Sequence, residues 1–247
     1  MENALLVGLS RQIALARELD VIANNVANIS TNGFKARSAR FAEYLSPTAS
    51  GETFQKPDRR ISFVQDRGTP IDLSGGMIER TGNPLDTAIK GEGFYVVRTA
   101  GGERYTRAGS FDINSRGELV TQTGQPVMGE NGPIVFGPNE SNAQISQDGT
   151  VTTAQGERGK LRLVRFADPT TLRNEGTNMF SSPTPATPIG PLAKLETGAV
   201  ERSNVKPIIE MSRLVELQRT YASIAGMISK TDELRRTAIQ RLADVQG

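Results

Sequence analysis

The chain contains no cysteine and no histidine. The first absence excludes disulfides, a thiol nucleophile and a thiolate-held metal. It sets no redox compartment, because a cysteine-free chain is safe in any of them. The second absence removes the one side chain that ordinarily titrates near neutrality, which is also the commonest transition-metal ligand. Histidine triads, histidine general bases and zinc hydrolase sites are excluded by composition. Aromatic residues make up 5% of the 247 residues and apolar residues 36%. That is enough for one modest β core and too little for a large two-core enzyme. An excess of one charge is missing as well: 29 Lys and Arg stand against 27 Asp and Glu, mixed along the chain. A nucleic-acid binder shows a denser basic face. No run approaches about 18 consecutive apolar residues, so no transmembrane helix is expected. The opening MENALLVGLSRQ carries Glu2, lacks a basic start, and has its apolar run broken by Gly8 and Ser10. No cleaved secretory leader is expected from it.

The chain does have a marked change of period. From Asn3 to about Asn28 the pattern is helical. Leu15, Leu19, Ile22, Val26 and Ile29 recur at spacings of 4, 3, 4 and 3, a heptad seam. Leu5, Leu9, Ile13 and Ala16 form a neighbouring stripe. From Ile61 to about Phe180 the period is two and glycine punctuates it. GFYVVR reads as a strand, Asn114–Gly117 as a turn between strands, Asp148-Gly149 as a hairpin turn, and Lys160–Phe166 as a half-buried strand. Short strands without intervening helices argue for an antiparallel sandwich or barrel. From Pro207 the helical period returns, with Leu214, Leu217, Tyr221, Ile224 and Ile228 at 3, 4, 3 and 4. Pro207 suits a first helical turn and Glu210 its dipole.

The expected division is therefore an assembly helix at 1–33, an extended arm at 34–60 with Pro47, Gly51 and Pro57, and a β domain at 61–182. A Pro-rich tether at 183–203 (SSPTPATPIGPL) and a second assembly helix at 204–247 complete it. The fold class is α+β, mainly β: long terminal helices in a coiled-coil-like core, plus a central antiparallel β domain. The helical stripes suit two arrangements, packing within a monomer or polymerisation. The tether and the polar arm favour helices held apart from the β domain and shared with neighbours.

Catalytic constellations are weak. KGEGF has a Gly-x-Gly, but Val96 stands where a dinucleotide fingerprint needs its third glycine, and a strand follows it. Glu92, Glu103, Asp112 and Glu118 are scattered in the β region, as surface carboxylates are. Neither a calcium loop nor a Ser/Lys spacing stands out. No catalytic, metal or cofactor residue is expected.

The asparagines are more informative. Asn24, Asn25 and Asn28 sit inside the first helical pattern, although Asn is a mediocre helix former. Asn24 and Asn28 are four apart and share a face. Buried amides at an interface cost stability and fix register and partner; exposed amides would simply be solvated. Thr31-Asn32-Gly33 reads as a helix stop, with Gly33 at the left-handed C′ position and Phe34 packing back on the last turn. The expected assembly surface is thus Leu15, Leu19, Ile22, Asn24, Asn25, Val26, Asn28, Gly33 and Phe34, facing Leu214, Leu217, Gln218, Tyr221, Ile224 and Ile228.

Three blocks in order resemble one known family. NNVANISTNGFK (24–35) is similar to the N-terminal signature of flagellar rod and hook proteins. LDTAIKGEGFYVV (85–97) and YTRAGSFDINSRGELVTQTGQPVMG (105–129) resemble their central β region. SNVKPIIEMSRLVELQRTY (203–221) resembles their C-terminal signature. The resemblance implies a structural subunit of the bacterial flagellar basal body, without enzymatic activity or cofactor. It implies export unfolded through the flagellar type III export apparatus, without a cleaved signal. It also implies helical self-association with other rod subunits and hook–basal-body proteins in the periplasm-spanning rod. The terminal helices would line the export channel, the β domain would face outward, and the whole would carry torque. Neither nucleic acid nor membrane insertion is implied. Length and opening look most like a proximal-rod member. A distal-rod member is the alternative, because the central motifs are shared, and a secreted β-domain binding or adhesin module is the alternative from another class. The terminal helices are expected to order only on assembly.

Overall fold

The computed structural model describes residues 2–45, 62–66, 68–138, 140–176, 178–190 and 194–244. The chain divides into two compact units. A helical unit comprises residues 1–26, 37–70 and 207–247, and a β unit comprises 27–36 and 71–206. The β unit therefore recruits ten residues from near the N-terminus, and the helical unit takes up a segment between its helices.

The helical unit is built on α1 (Glu2–Ala27) and α2 (Pro207–Asp244). At 1.5 Å per residue they are about 39 and 57 Å long. Neither contains an interior proline, and α2 opens on Pro207 with Glu210 in its first turn, as the proline and dipole rules favour. No helix among the described residues is long and apolar enough to cross a membrane. The segment read as an extended arm differs from expectation. Phe41–Leu45 pairs antiparallel with Ser62–Asp66, Phe41 opposite Asp66 and Leu45 opposite Ser62. Alternation in FAEYL and SFVQD suits such a ribbon, but it is too short for periodicity to separate from irregular chain. Pro47, Gly51 and Pro57 lie outside the described residues.

Among the described residues of the β unit every ladder is antiparallel. The largest sheet has six strands. Its order is Arg173–Glu175, Met179–Ser181, Gly102–Thr106, Phe94–Thr99, Leu163–Arg165 and Thr187–Pro188. A three-stranded sheet and several two-stranded ladders surround it, so the β unit is neither a plain two-sheet sandwich nor one closed barrel. The central strand Phe94–Thr99 is buried on both faces over its first four residues, Phe94 to Val97. Its period of two divides the core. Tyr95 and Val97 join Phe111, Leu119, Val127 and Val151, while Phe94 and Val96 join Val164, Phe166 and Phe180. The rings meet edge to face: Phe94 lies 5.7 Å from Phe166 and from Phe180, and Tyr95 lies 5.1 Å from Phe111, the geometry aromatic quadrupoles favour.

The hairpin signals appear as ladders. Phe111–Ile113 pairs with Leu119–Thr121 around Asn114–Gly117, and Gln144–Ile145 pairs with Thr150–Thr153 around Asp148-Gly149. Lys160–Phe166, read as one strand, is broken: Gly156–Lys160 and Leu163–Arg165 belong to different sheets. The stretch 183–203 departs most from the sequence reading. Instead of a tether it carries Thr187–Pro188 on the edge of the large sheet, Lys194–Thr197 against Thr87–Lys90, and Ala199–Glu201 against Ile78–Arg80. Proline lacks a ladder donor and is admitted on edge strands, which is where Pro188 sits.

Candidate assembly surfaces

Within the helical unit three contacts run in opposite order along the two helices. A Cβ built on Gly8 would lie 3.3 Å from Ile228 Cγ1. Glu18 Oε1 accepts from Arg213 Nη2 at 2.5 Å. Asn25 Nδ2 donates to Glu210 Oε2 at 3.2 Å. The helices therefore lie antiparallel, and a side chain at position 8 would have to shift the Ile228 side chain slightly. On α1, Leu15 (8% exposed) and Ile22 (3%) are buried, and Leu19 and Val26 are half-buried. On α2, Leu214, Leu217, Tyr221, Ile224 and Ile228 are half-buried, and Gln218 is exposed.

Other apolar residues lie outside this seam and are more exposed. On α2, Ile208 is 82% exposed, Met211 57% and Val215 47%, at spacings of 3 and 4. On α1, Leu9 and Ile13 are exposed at a spacing of 4. These side chains form stripes distinct from the heptad seam. Sequence reasoning ranked the seam first because its repeat is longer. It noted Leu9 and Ile13 in the neighbouring stripe, and Ile208, Met211 and Val215 escaped it.

The asparagines have partners within their own chain. Asn25, 1% exposed, donates from Nδ2 to the Arg37 carbonyl at 2.8 Å and accepts the Arg37 N–H on Oδ1 at 3.0 Å. With Glu210 as third partner, one amide ties the end of α1, the following segment and the first turn of α2. Asn28 accepts from Thr31 Oγ1 at 3.1 Å, and Asn24 is half-buried.

The stop after α1 also differs in detail. The helix ends at Ala27, several residues before Gly33. Gly33 does have a left-handed φ of 68°. It is not the C′ residue, and a second constraint fixes it as glycine: a Cβ there would come within 2.3 Å of the Arg107 carbonyl carbon. Its N–H donates to the Glu201 carbonyl at 2.6 Å. Phe34 follows at 1% exposure, and Lys35 is buried. Lys35 Nζ donates to Glu201 Oε1 and to the Ser74 carbonyl, both at 2.6 Å. Arg107 Nε stands 3.4 Å from Glu201 Oε2, and its Nη2 donates to the Gly91 carbonyl. Burial pulls the Lys35 pKa below the ordinary lysine value, and Glu201 partly restores it. All three side chains of this cluster are at least nine-tenths buried. Gly33 and Lys35 thus both meet Glu201 inside the β unit.

The scattered carboxylates serve ion pairs and turns. Glu103 pairs with Arg162. Glu118 accepts from Asn114 and Arg116, which hold its pKa below the usual carboxylate value. No cluster that could hold a metal occurs among the described residues.

Three family models match the chain in order. They are the "Flagella basal body rod protein" model over residues 5–35, the "Flagellar hook protein FlgE/F/G D1 domain" over 88–153, and the "Flagellar basal body rod FlgEFG protein C-terminal" over 196–241. The flagellar basal-body rod protein FlgF of Caulobacter vibrioides is 40% identical over 99% of this chain and all of its own. FlgF of Mesorhizobium japonicum is 34% identical over 98% of both chains. The rod protein FlgG of Bacillus subtilis is 31% identical over 95% of this chain and 97% of its own.

Proposed function

Starting from the chain's membership of the flagellar basal-body rod protein family, as a structural subunit and not an enzyme, we propose that its helical unit is the polymerising element. The heptad seam pairs α1 with α2 in a coiled-coil-like core within the subunit. The outer stripes, Leu9 and Ile13 on α1 and Ile208, Met211 and Val215 on α2, join neighbouring rod subunits. The single observation that carries this division is the exposure of Ile208 at 82% on a helix whose seam residues Leu214, Leu217, Tyr221, Ile224 and Ile228 are half-buried. Repeated apolar stripes facing water mark interaction surfaces.

The likeness to FlgF over the full length supports a place in the proximal rod. The helices would enclose the export channel, and the subunit would transmit torque. The subunit would leave the cytoplasm through the flagellar type III export apparatus without a cleaved signal. Its terminal helices would order fully only on assembly, which restrains polymerisation before delivery.

Ile13→Asp combined with Val215→Asp tests this reading. The double variant is expected to keep the near-ultraviolet signature of a folded β unit and to leave cells without hook or filament. Complete flagella on such cells, seen by electron microscopy, would exclude these stripes as the interface.

A further inference from the structure

We infer that Asn204 is a positioning residue that clasps together the chain segments through which the β unit connects to the rest of the protein. The chain passes between the two units at four places, after residues 26, 36, 70 and 206. The segments beside the last three come together around one side chain. Asn204 Oδ1 accepts the N–H of Ala36 at 2.7 Å. Asn204 Nδ2 donates to the carbonyl of Asp72 at 2.9 Å, with the carbonyl and hydroxyl of Ser74 at 3.2 and 3.1 Å. Its own N–H donates to the Phe34 carbonyl at 3.4 Å, and the Asp72 N–H donates to the Ala36 carbonyl at 2.8 Å. Beneath this lies the buried Lys35–Glu201 pair, with Gly76 N–H also on Glu201 Oε1.

The chemistry selects asparagine. One planar amide supplies an acceptor for one backbone N–H and two donors for backbone carbonyls. Aspartate keeps the acceptor and loses the donors; alanine loses both. The bonded segments are 168, 132 and 130 residues from Asn204. The clasp therefore closes only when distant parts of the chain are in place. A single strand leaving a domain bends at its rotatable bonds. Three strands tied side by side share a load. That mechanical consequence rests on the rod reading; the clasp itself does not.

Hydrogen exchange on the purified full chain tests the clasp. In Asn204→Ala the amide of Ala36 is expected to exchange about tenfold faster or more, as are those of Asp72 and Gly76. The amides of Val96, Val97 and Leu119 keep their native rates. In Asn204→Asp, Ala36 keeps its protection while Asp72 and Gly76 lose theirs. Equal acceleration at the core amides overturns the inference, because Asn204 would then only add global stability; no acceleration overturns it too. In motile cells the Asn204→Ala chain is expected to build full-length flagella and to swim more slowly than native in viscous medium. Native speed overturns load sharing and leaves the rod assignment intact. Absence of flagella also overturns load sharing, since Asn204 would then be required for assembly itself.

Discussion

One amide at Asn25 answers to two Arg37 backbone groups and one carboxylate. Leucine would fill the space and leave all three unanswered. Asn25→Leu is therefore expected to cost about 2–4 kcal/mol, since each abandoned group carries a desolvation penalty of about 1–3 kcal/mol and hydration recovers part of the sum. The check is urea unfolding of the helical unit followed by circular dichroism; an unchanged midpoint would remove the amide from the stability account. The sequence drew attention to this residue because asparagine is out of place in a helix. It did not reveal the partners, 12 and 185 residues away, because periodicity ranks faces of one element and is blind to what another brings. Gly33 was legible as a glycine that must be one. The stronger reason, the Arg107 backbone at 2.3 Å, was not.

The elements most faithfully written in the chain are those with a long or sharply punctuated period. Both helices and the Asn114–Gly117 and Asp148-Gly149 hairpins are of that kind. The ribbon Phe41–Leu45 with Ser62–Asp66 and the strands of 183–203 were not legible. Their pairing partners supply what their own patterns lack, and Pro188 is tolerated only because its strand is an edge. A pair of substitutions separates covered from outward-facing apolar positions. Phe94→Ala, between the Phe166 and Phe180 rings, is expected to cost about 3–5 kcal/mol. Ile208→Ser, at 82% exposure, is expected to stay within about 0.5 kcal/mol in the monomer. Denaturant midpoints of the two variants measure the contrast. An equal loss would mean that Ile208 is covered in solution.

For the molecule as a whole, the missing histidine shapes the pH response. With none to titrate, stability is expected to be level from about pH 5 to 8. Below that range the carboxylates govern. Glu118 is held below 4.5 by Asn114 and then Arg116, Glu196 by Lys90, and Asp168 sits below 3.8 through Thr170. Each pKa is lower folded than unfolded, so each adds stability above its unfolded value and loses it as pH falls through the folded one. Unfolding midpoints should drop progressively below pH 4.5, and Glu118→Gln should fall less steeply. Lys35 works at the other end. Its folded pKa lies below 10.5, chiefly through burial, so the folded chain gives up that proton first. The contribution of Lys35 to stability rises as pH climbs from the folded value to 10.5. A midpoint series that falls between pH 5 and 8 would require a titrating group other than these.

The ribbon Phe41–Leu45 with Ser62–Asp66 also bears on how the chain can vary. Its register is closed at the base, Leu45 opposite Ser62, so both strands are fixed by each other and not by the length of what joins them. Loop closure costs only about 0.6 kcal/mol per doubling of length. The chain between Leu45 and Ser62 is thus a natural place for length to change, whether by inherited insertions or by a grafted epitope or fluorescent reporter. An insertion there leaves α1, α2 and the Asn204 clasp in their native sequence.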